Sequence, residues 1–179
     1  MARVGLTLIT GPANAGKVAL LLRRYLEVLP NEPVLIVPNR SDVEQAERDL
    51  LELQPALLGG TIATFDDVFR AIAKSGGQAR PVASETQQIL IARRAVASAR
   101  AAMNGLRRSA RFKGFVDALL GTVADLEAGL LDPADLDGDL SQLYRAYLRD
   151  LDSLGLWDRQ LLRRHAAARV AGDLSAWHG

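Results

Sequence analysis

The sequence predicts an α/β fold: a partial phosphate-loop domain with a three-stranded parallel sheet over residues 1–76, followed by an all-helical subdomain over 77–179. Three observations carry this. An apolar run, Leu6-Thr7-Leu8-Ile9-Thr10, leads directly into Gly11-Pro12-Ala13-Asn14-Ala15-Gly16-Lys17-Val18, and good helix formers follow. Short apolar runs then alternate with helical stretches as far as Ser75, the rhythm of βαβ units. Beyond Ser75-Gly76-Gly77 no strand pattern returns, and the periodicity is helical.

Taken in order, a first strand is expected over about 4–10, then the loop and a helix to about Leu29. Pro30 and Pro33 punctuate, and Val34-Leu35-Ile36-Val37 is a short buried strand ended by Pro38. A helix from Asp42 to about Leu53 is expected next, with Ser41 as N-cap and Glu44 completing a capping box. Gly59-Gly60 precedes a third strand, Thr61-Ile62-Ala63-Thr64, and Phe65 to about Lys74 is helical. In the second half, Ser84-Glu85-Thr86-Gln87 is a capping box opening a long helix to about Met103. A second helix runs from roughly Arg111 to Ala128, stopped by Gly129, and Asp132-Pro133 opens a short turn. Residues 140–154 place Leu140, Leu143, Tyr147, Leu151 and Leu154 on one face before Gly155, and Asp158 caps a last helix to about Ala171.

The loop carries the most specific chemistry. Gly11 and Gly16 let the backbone curl so that several N–H groups converge on phosphate oxygens at the positive end of a helix. Pro12, Ala13, Asn14 and Ala15 complete the cradle, and Lys17 is placed to reach the β- and γ-phosphates of ATP. The pattern G-x-x-x-x-G-K-[ST] fails at its last position. Val18 has no hydroxyl for Mg²⁺, so nucleotide binding is expected and metal-assisted hydrolysis is doubtful. A glycine-rich strand-to-helix turn of another doubly wound fold is the plainer reading.

Composition narrows the remaining classes. The chain has 49% hydrophobic and 24% charged residues, a formal net charge of +1 and no cysteine. Disulfides and thiolate zinc sites are therefore excluded, a cytoplasmic setting is expected, and no apolar run is long enough for a membrane span. The two histidines, His165 and His178, lie far apart, and no catalytic or metal-ligating set is identified. From Arg93 to Lys113 the chain holds Arg93, Arg94, Arg100, Arg107, Arg108, Arg111 and Lys113 with no acid among them. Such a block suits phosphate-backbone binding, with Arg107, Arg108 and Arg111 as its candidates; pairing with the acids of 117–152 is the alternative. Asp66 and Asp67 favour a helix N-terminus, and capping explains most of Asp132, Asp135, Asp137 and Asp139. Trp157 and Trp177 suit packing better than base stacking.

The phosphate loop, the second strand and helix, and Thr61-Ile62-Ala63-Thr64-Phe65-Asp66-Asp67-Val68-Phe69 together resemble the first motifs of superfamily 1 UvrD/RecB-type DNA helicases. In the helical half, Phe112 to Leu120, Asp125 to Leu130, Leu143 to Tyr147 and Asp158 to Leu162 resemble the helical insertion of AddB-like helicase–nuclease subunits. The resemblance implies a RecA-like first domain, ATP as cofactor, DNA and a partner helicase–nuclease subunit as partners, and a DNA contact at Thr64 and Phe65. The acidic magnesium motif of that family has no counterpart after residue 75, so the chain is expected to be a fragment, inactive alone, of a parent enzyme of double-strand-break repair. Two other readings stand beside it: an inactive DNA- or protein-interaction module keeping the loop as architecture, and a small phosphate-loop kinase with a helical lid.

Overall fold

The computed structural model describes residues 5–77 and 79–173. Two compact units divide between Val68 and Phe69. Seven α-helices and two β-strands are formed among the described residues.

The first unit holds α1 (Lys17–Glu27), β1 (Val34–Val37), α2 (Arg40–Leu53), β2 (Thr61–Thr64) and the first turn of α3 (Phe65–Ser75). The strands pair in parallel, from Val34 opposite Thr61 to Val37 opposite Thr64, with α2 as the crossover. Leu22, Tyr25 and Leu29 meet Ala46 and Leu50, and this cluster packs against Leu35 and Ile62 on one face of the pair. The i, i+3, i+4 spacing of Leu22, Tyr25, Leu26 and Leu29 is what turns α1 toward that face.

The expected first strand, over about 4–10, is not formed among the described residues, so the sheet there has two strands rather than three. Residues 5–10 make no ladder, and Leu6 and Leu8 are 97% and 81% exposed. A strand exists only where a neighbour accepts its backbone groups. β1 and β2 pair with each other, and the sheet among the described residues holds no further strand. The second helix also starts earlier than its sequence suggests. Asn39, not Ser41, is the N-cap: its Oδ1 accepts from the Asp42 N–H at 3.0 Å, while the Asp42 carboxylate accepts from its Nδ2 at 2.8 Å. Ser41 lends its hydroxyl to the same Asn39 oxygen.

Tight approach explains one glycine of the first unit. Gly60 has φ +72°, and a Cβ there would collide with the Tyr25 hydroxyl, 2.9 Å from its Cζ and 3.0 Å from Leu29 Cδ1.

The second unit is built on α4 (Glu85–Ala99), α5 (Phe115–Ala128), α6 (Gly138–Ser153) and α7 (Arg159–Gly172). The capping box at Ser84 and Gln87 opens α4 as expected, and Asp158 caps α7 by accepting from the Leu161 N–H at 2.8 Å. Helix α4 stops at Ala99 rather than Met103, in a short series of turns that leaves Met103 buried. Before α5, Ser109–Arg111 is a 3₁₀ turn and the α-helix begins only at Phe115. Small residues on α4 (Ala92, Ala95, Ala99) let it lie close against α6, whose Leu143, Tyr144, Tyr147 and Leu151 are fully buried. Residues 81–83 run beside Trp157, with Ala83 N–H donating to the Trp157 carbonyl at 2.7 Å and Trp157 N–H to that of Pro81 at 3.0 Å. Trp157 stacks obliquely on His165 at 4.5 Å, a packing role; Trp177 and His178 lie outside the described residues.

Two tyrosines of α6 reach two buried carboxyl groups. Tyr144 donates to Glu127 Oε1 at 3.2 Å, and Tyr147 is hydrogen-bonded to Asp158, so α5, α6 and the start of α7 are tied together. Glu127 is 2% exposed, and burial, reinforced by the Asp158 charge, pushes its carboxyl up to about 8. The Tyr144 hydrogen bond and Arg164, itself paired with Asp132 at 2.9 Å, pull the other way and lose. Burial also raises Asp158, against the N–H groups it caps.

Gly60→Ala is expected to cost about 2 kcal/mol through left-handed strain and overlap with Tyr25. Chemical denaturation measures it, and Tyr25→Phe in the same chain should recover part of the loss. Glu127 holds its proton at neutral pH when folded but releases it when unfolded, so the folded chain binds more protons between the two titrations. Stability therefore falls as pH rises from about 5 to about 8, by at most about 1.4 kcal/mol per pH unit for this group. Urea midpoints across that range should show the fall and Glu127→Gln should flatten it; parallel slopes for the two proteins would contradict the assignment.

Candidate phosphate loop and nucleic-acid interface

The glycine-rich loop curls into the head of α1. Asn14 and Gly16 take left-handed backbone conformations, φ 59° and 75°, which curl residues 11–16 into the head of α1. Gly16 is the N-cap, no side chain caps the helix, and no acid stands in its first turn. The N–H groups that open α1 are thus left to an external acceptor, in the geometry that binds anions. Lys17 folds back over the loop, its ammonium donating to the carbonyls of Gly11 at 2.9 Å and Pro12 at 2.5 Å. An ammonium has three donors, so one remains for a phosphate oxygen.

The same loop lacks a metal ligand. Val18 is 65% exposed and offers only methyl groups, and no group of three or more His, Asp or Glu side chains is placed to hold a metal among the described residues. The loop thus offers backbone N–H groups and one ammonium, and no oxygen ligand at position 18.

Thr64 and Phe65 sit where β2 gives way to α3. Thr64 Oγ1 donates to Asp67 Oδ2 at 2.7 Å, and the Asp67 N–H donates back to Thr64 Oγ1 at 3.3 Å. This reciprocal cap commits the hydroxyl to the helix start and assigns Asp67 a structural role. Phe65 does not pack into the core; it is 57% exposed.

The arginines of the second unit separate by environment. Arg94 pairs with Asp150 at 3.4 Å, as the pairing alternative expects. Arg107, Arg108 and Arg111 are exposed and make no ion pair or side-chain hydrogen bond among the described residues. Their segment is nevertheless well anchored. Asp139 on α6 accepts from the backbone N–H of Leu106 at 2.6 Å and of Asn104 at 2.9 and 3.1 Å, and those bonds hold its carboxyl below the usual range. Ala110 N–H then donates to Leu106, Arg111 to Arg108, Phe112 to Ser109 and Phe115 to Phe112. Leu106, Ala110 and Phe115 face the helical core. The structure thus presents a fixed turn with its cations outward. The role of Asp139 is hidden in the sequence, because its partners lie more than thirty residues away.

No known protein-family profile matches the chain. Among curated proteins it is similar to an ATP-dependent helicase/deoxyribonuclease subunit of Moorella thermoacetica, with 28% identity in an alignment that covers 94% of this chain. The chain spans about 15% of that protein's length.

Proposed function

We propose that the chain is the helicase-like region of an ATP-dependent helicase–nuclease subunit of double-strand-break repair. In this reading the 11–18 loop holds the phosphates of ATP, while the 107–111 turn and the Thr64–Phe65 corner contact DNA. Its partners are DNA and a second helicase–nuclease subunit, and its setting is cytoplasmic. The observation that supports this most directly is Lys17 folded over a cradle whose helix N-terminus has no cap of its own. Similarity to a helicase/deoxyribonuclease subunit along 94% of the chain supports the same reading. Valine in place of the hydroxyl residue makes the loop a holder of phosphate rather than a hydrolytic centre.

A second reading has its own support. Lys17 already spends two donors on loop carbonyls, which suits a DNA- or protein-interaction module that keeps the loop as architecture alone.

Calorimetric titration of the chain with ATP separates the two. Binding is expected with little change between Mg²⁺ and EDTA, and Lys17→Ala should weaken it about tenfold or more, since a charged hydrogen bond is lost. No binding at millimolar ATP would favour the architectural reading. For DNA, affinity should fall steeply with salt, and the Arg107→Glu, Arg108→Glu pair should reduce the slope of log affinity against log salt by about two. An unchanged slope would remove this turn from the DNA interface.

A further inference from the structure

We infer that the turn over residues 107–113 binds single-stranded DNA, with Phe112 stacking on an unpaired base while Arg107, Arg108, Arg111 and Lys113 hold the phosphates around it. The inference rests on the DNA reading above and names the form of DNA that this turn takes.

The two phenylalanines of the segment have opposite fates. Phe115, at the start of α5, is partly buried and packs against the helical core. Phe112 is 73% exposed, although its backbone is held in place by the Phe112-to-Ser109 and Phe115-to-Phe112 hydrogen bonds. Its ring is therefore open to a partner, while that of Phe115 is taken up by the core. It stands between Arg111 and Lys113, and neither cation has an acidic partner among the described residues. Asp139, the carboxylate that α6 brings to this segment, is occupied by the backbone N–H groups of Asn104 and Leu106.

An exposed aromatic set among unpaired cations is the arrangement that binds single strands: the cations follow the backbone and the ring meets a base face. Duplex DNA offers only half of that match. Its bases are stacked inside, so the four cations would find phosphates while the ring would find no face to cover. Anchoring by Asp139 and by Leu106 and Ala110 matters here, because a fixed turn loses little conformational freedom on binding.

The test is fluorescence anisotropy with the 179-residue chain, using a labelled oligothymidylate and a duplex of equal length across a salt series. Phe112→Ala is expected to weaken oligothymidylate binding about tenfold, from the loss of one stacked base, with duplex affinity and the salt slope unchanged. Phe112→Tyr should retain binding, and Phe112→Trp should show fluorescence quenching by the oligonucleotide beyond that of the parent chain. If Phe112→Ala binds oligothymidylate as tightly as the parent while the Arg107→Glu, Arg108→Glu pair is weakened, the stacking inference fails and the DNA reading stands. Equal weakening on single strand and duplex would make Phe112 a support of the turn and also overturn the inference. If neither variant alters binding, the DNA reading of this turn fails together with it. Circular dichroism of Phe112→Ala should match the parent, since the ring contributes little to the core.

Discussion

A β-strand needs a neighbour for its backbone N–H and C=O groups, and the first unit is organised by how few neighbours its chain supplies. Val34–Val37 and Thr61–Thr64 satisfy each other along one edge, and α1 and α2 cover one face of the pair. The apolar segment before the glycine-rich loop has the composition of a strand and none of the pairing. The consequence reaches the loop directly. Its C-terminal half is held by α1, whose Leu22 and Tyr25 are buried, while its N-terminal half is continuous with exposed Leu6 and Leu8. Lys17 spans the two halves by bonding to the carbonyls of Gly11 and Pro12. One side chain thus closes a cradle that the sheet does not close.

The second unit solves its polar problem differently. Glu127 and Asp158 are deep among helices, where a charge is costly, and the two α6 tyrosines supply hydrogen bonds without supplying opposite charge. Glu127 meets the cost by keeping its proton. Asp139 does the reverse at the surface: ionised and satisfied by backbone N–H groups, it fixes the turn that carries the arginines. A chain with a net charge of only +1 thereby presents a local run of four cations that make no ion pair among the described residues. Bulk charge gives no hint of this, whereas placement does.

Much of this is legible from local signals. The capping boxes, Gly129, Gly155 and Pro133 mark element ends through φ preferences and orphan N–H groups, and the helices at 85, 138 and 159 start within a residue or two of expectation. The cap at Asn39 is masked because Ser41 and Glu44 form a competing local pattern, and the side chain that captures Asp42 wins. Strand formation over 5–10 fails for a deeper reason: apolar composition reports a tendency, while a strand requires a partner that sequence proximity does not reveal. Glu127 and Asp139 are opaque likewise, since their partners are brought together only by helix packing. The loop and its missing hydroxyl, in contrast, can be read in eight consecutive residues, Gly11 to Val18.

The central claim is that the cradle at the head of α1 accepts nucleotide phosphates through backbone N–H groups and Lys17, without a metal. Amide hydrogen exchange tests this most directly. Saturating ATP should slow exchange selectively from Asn14 through Ala19, to the same extent in Mg²⁺ and in EDTA. Exchange in that segment that is unaltered by ATP, or slowed only when Mg²⁺ is present, would contradict the account.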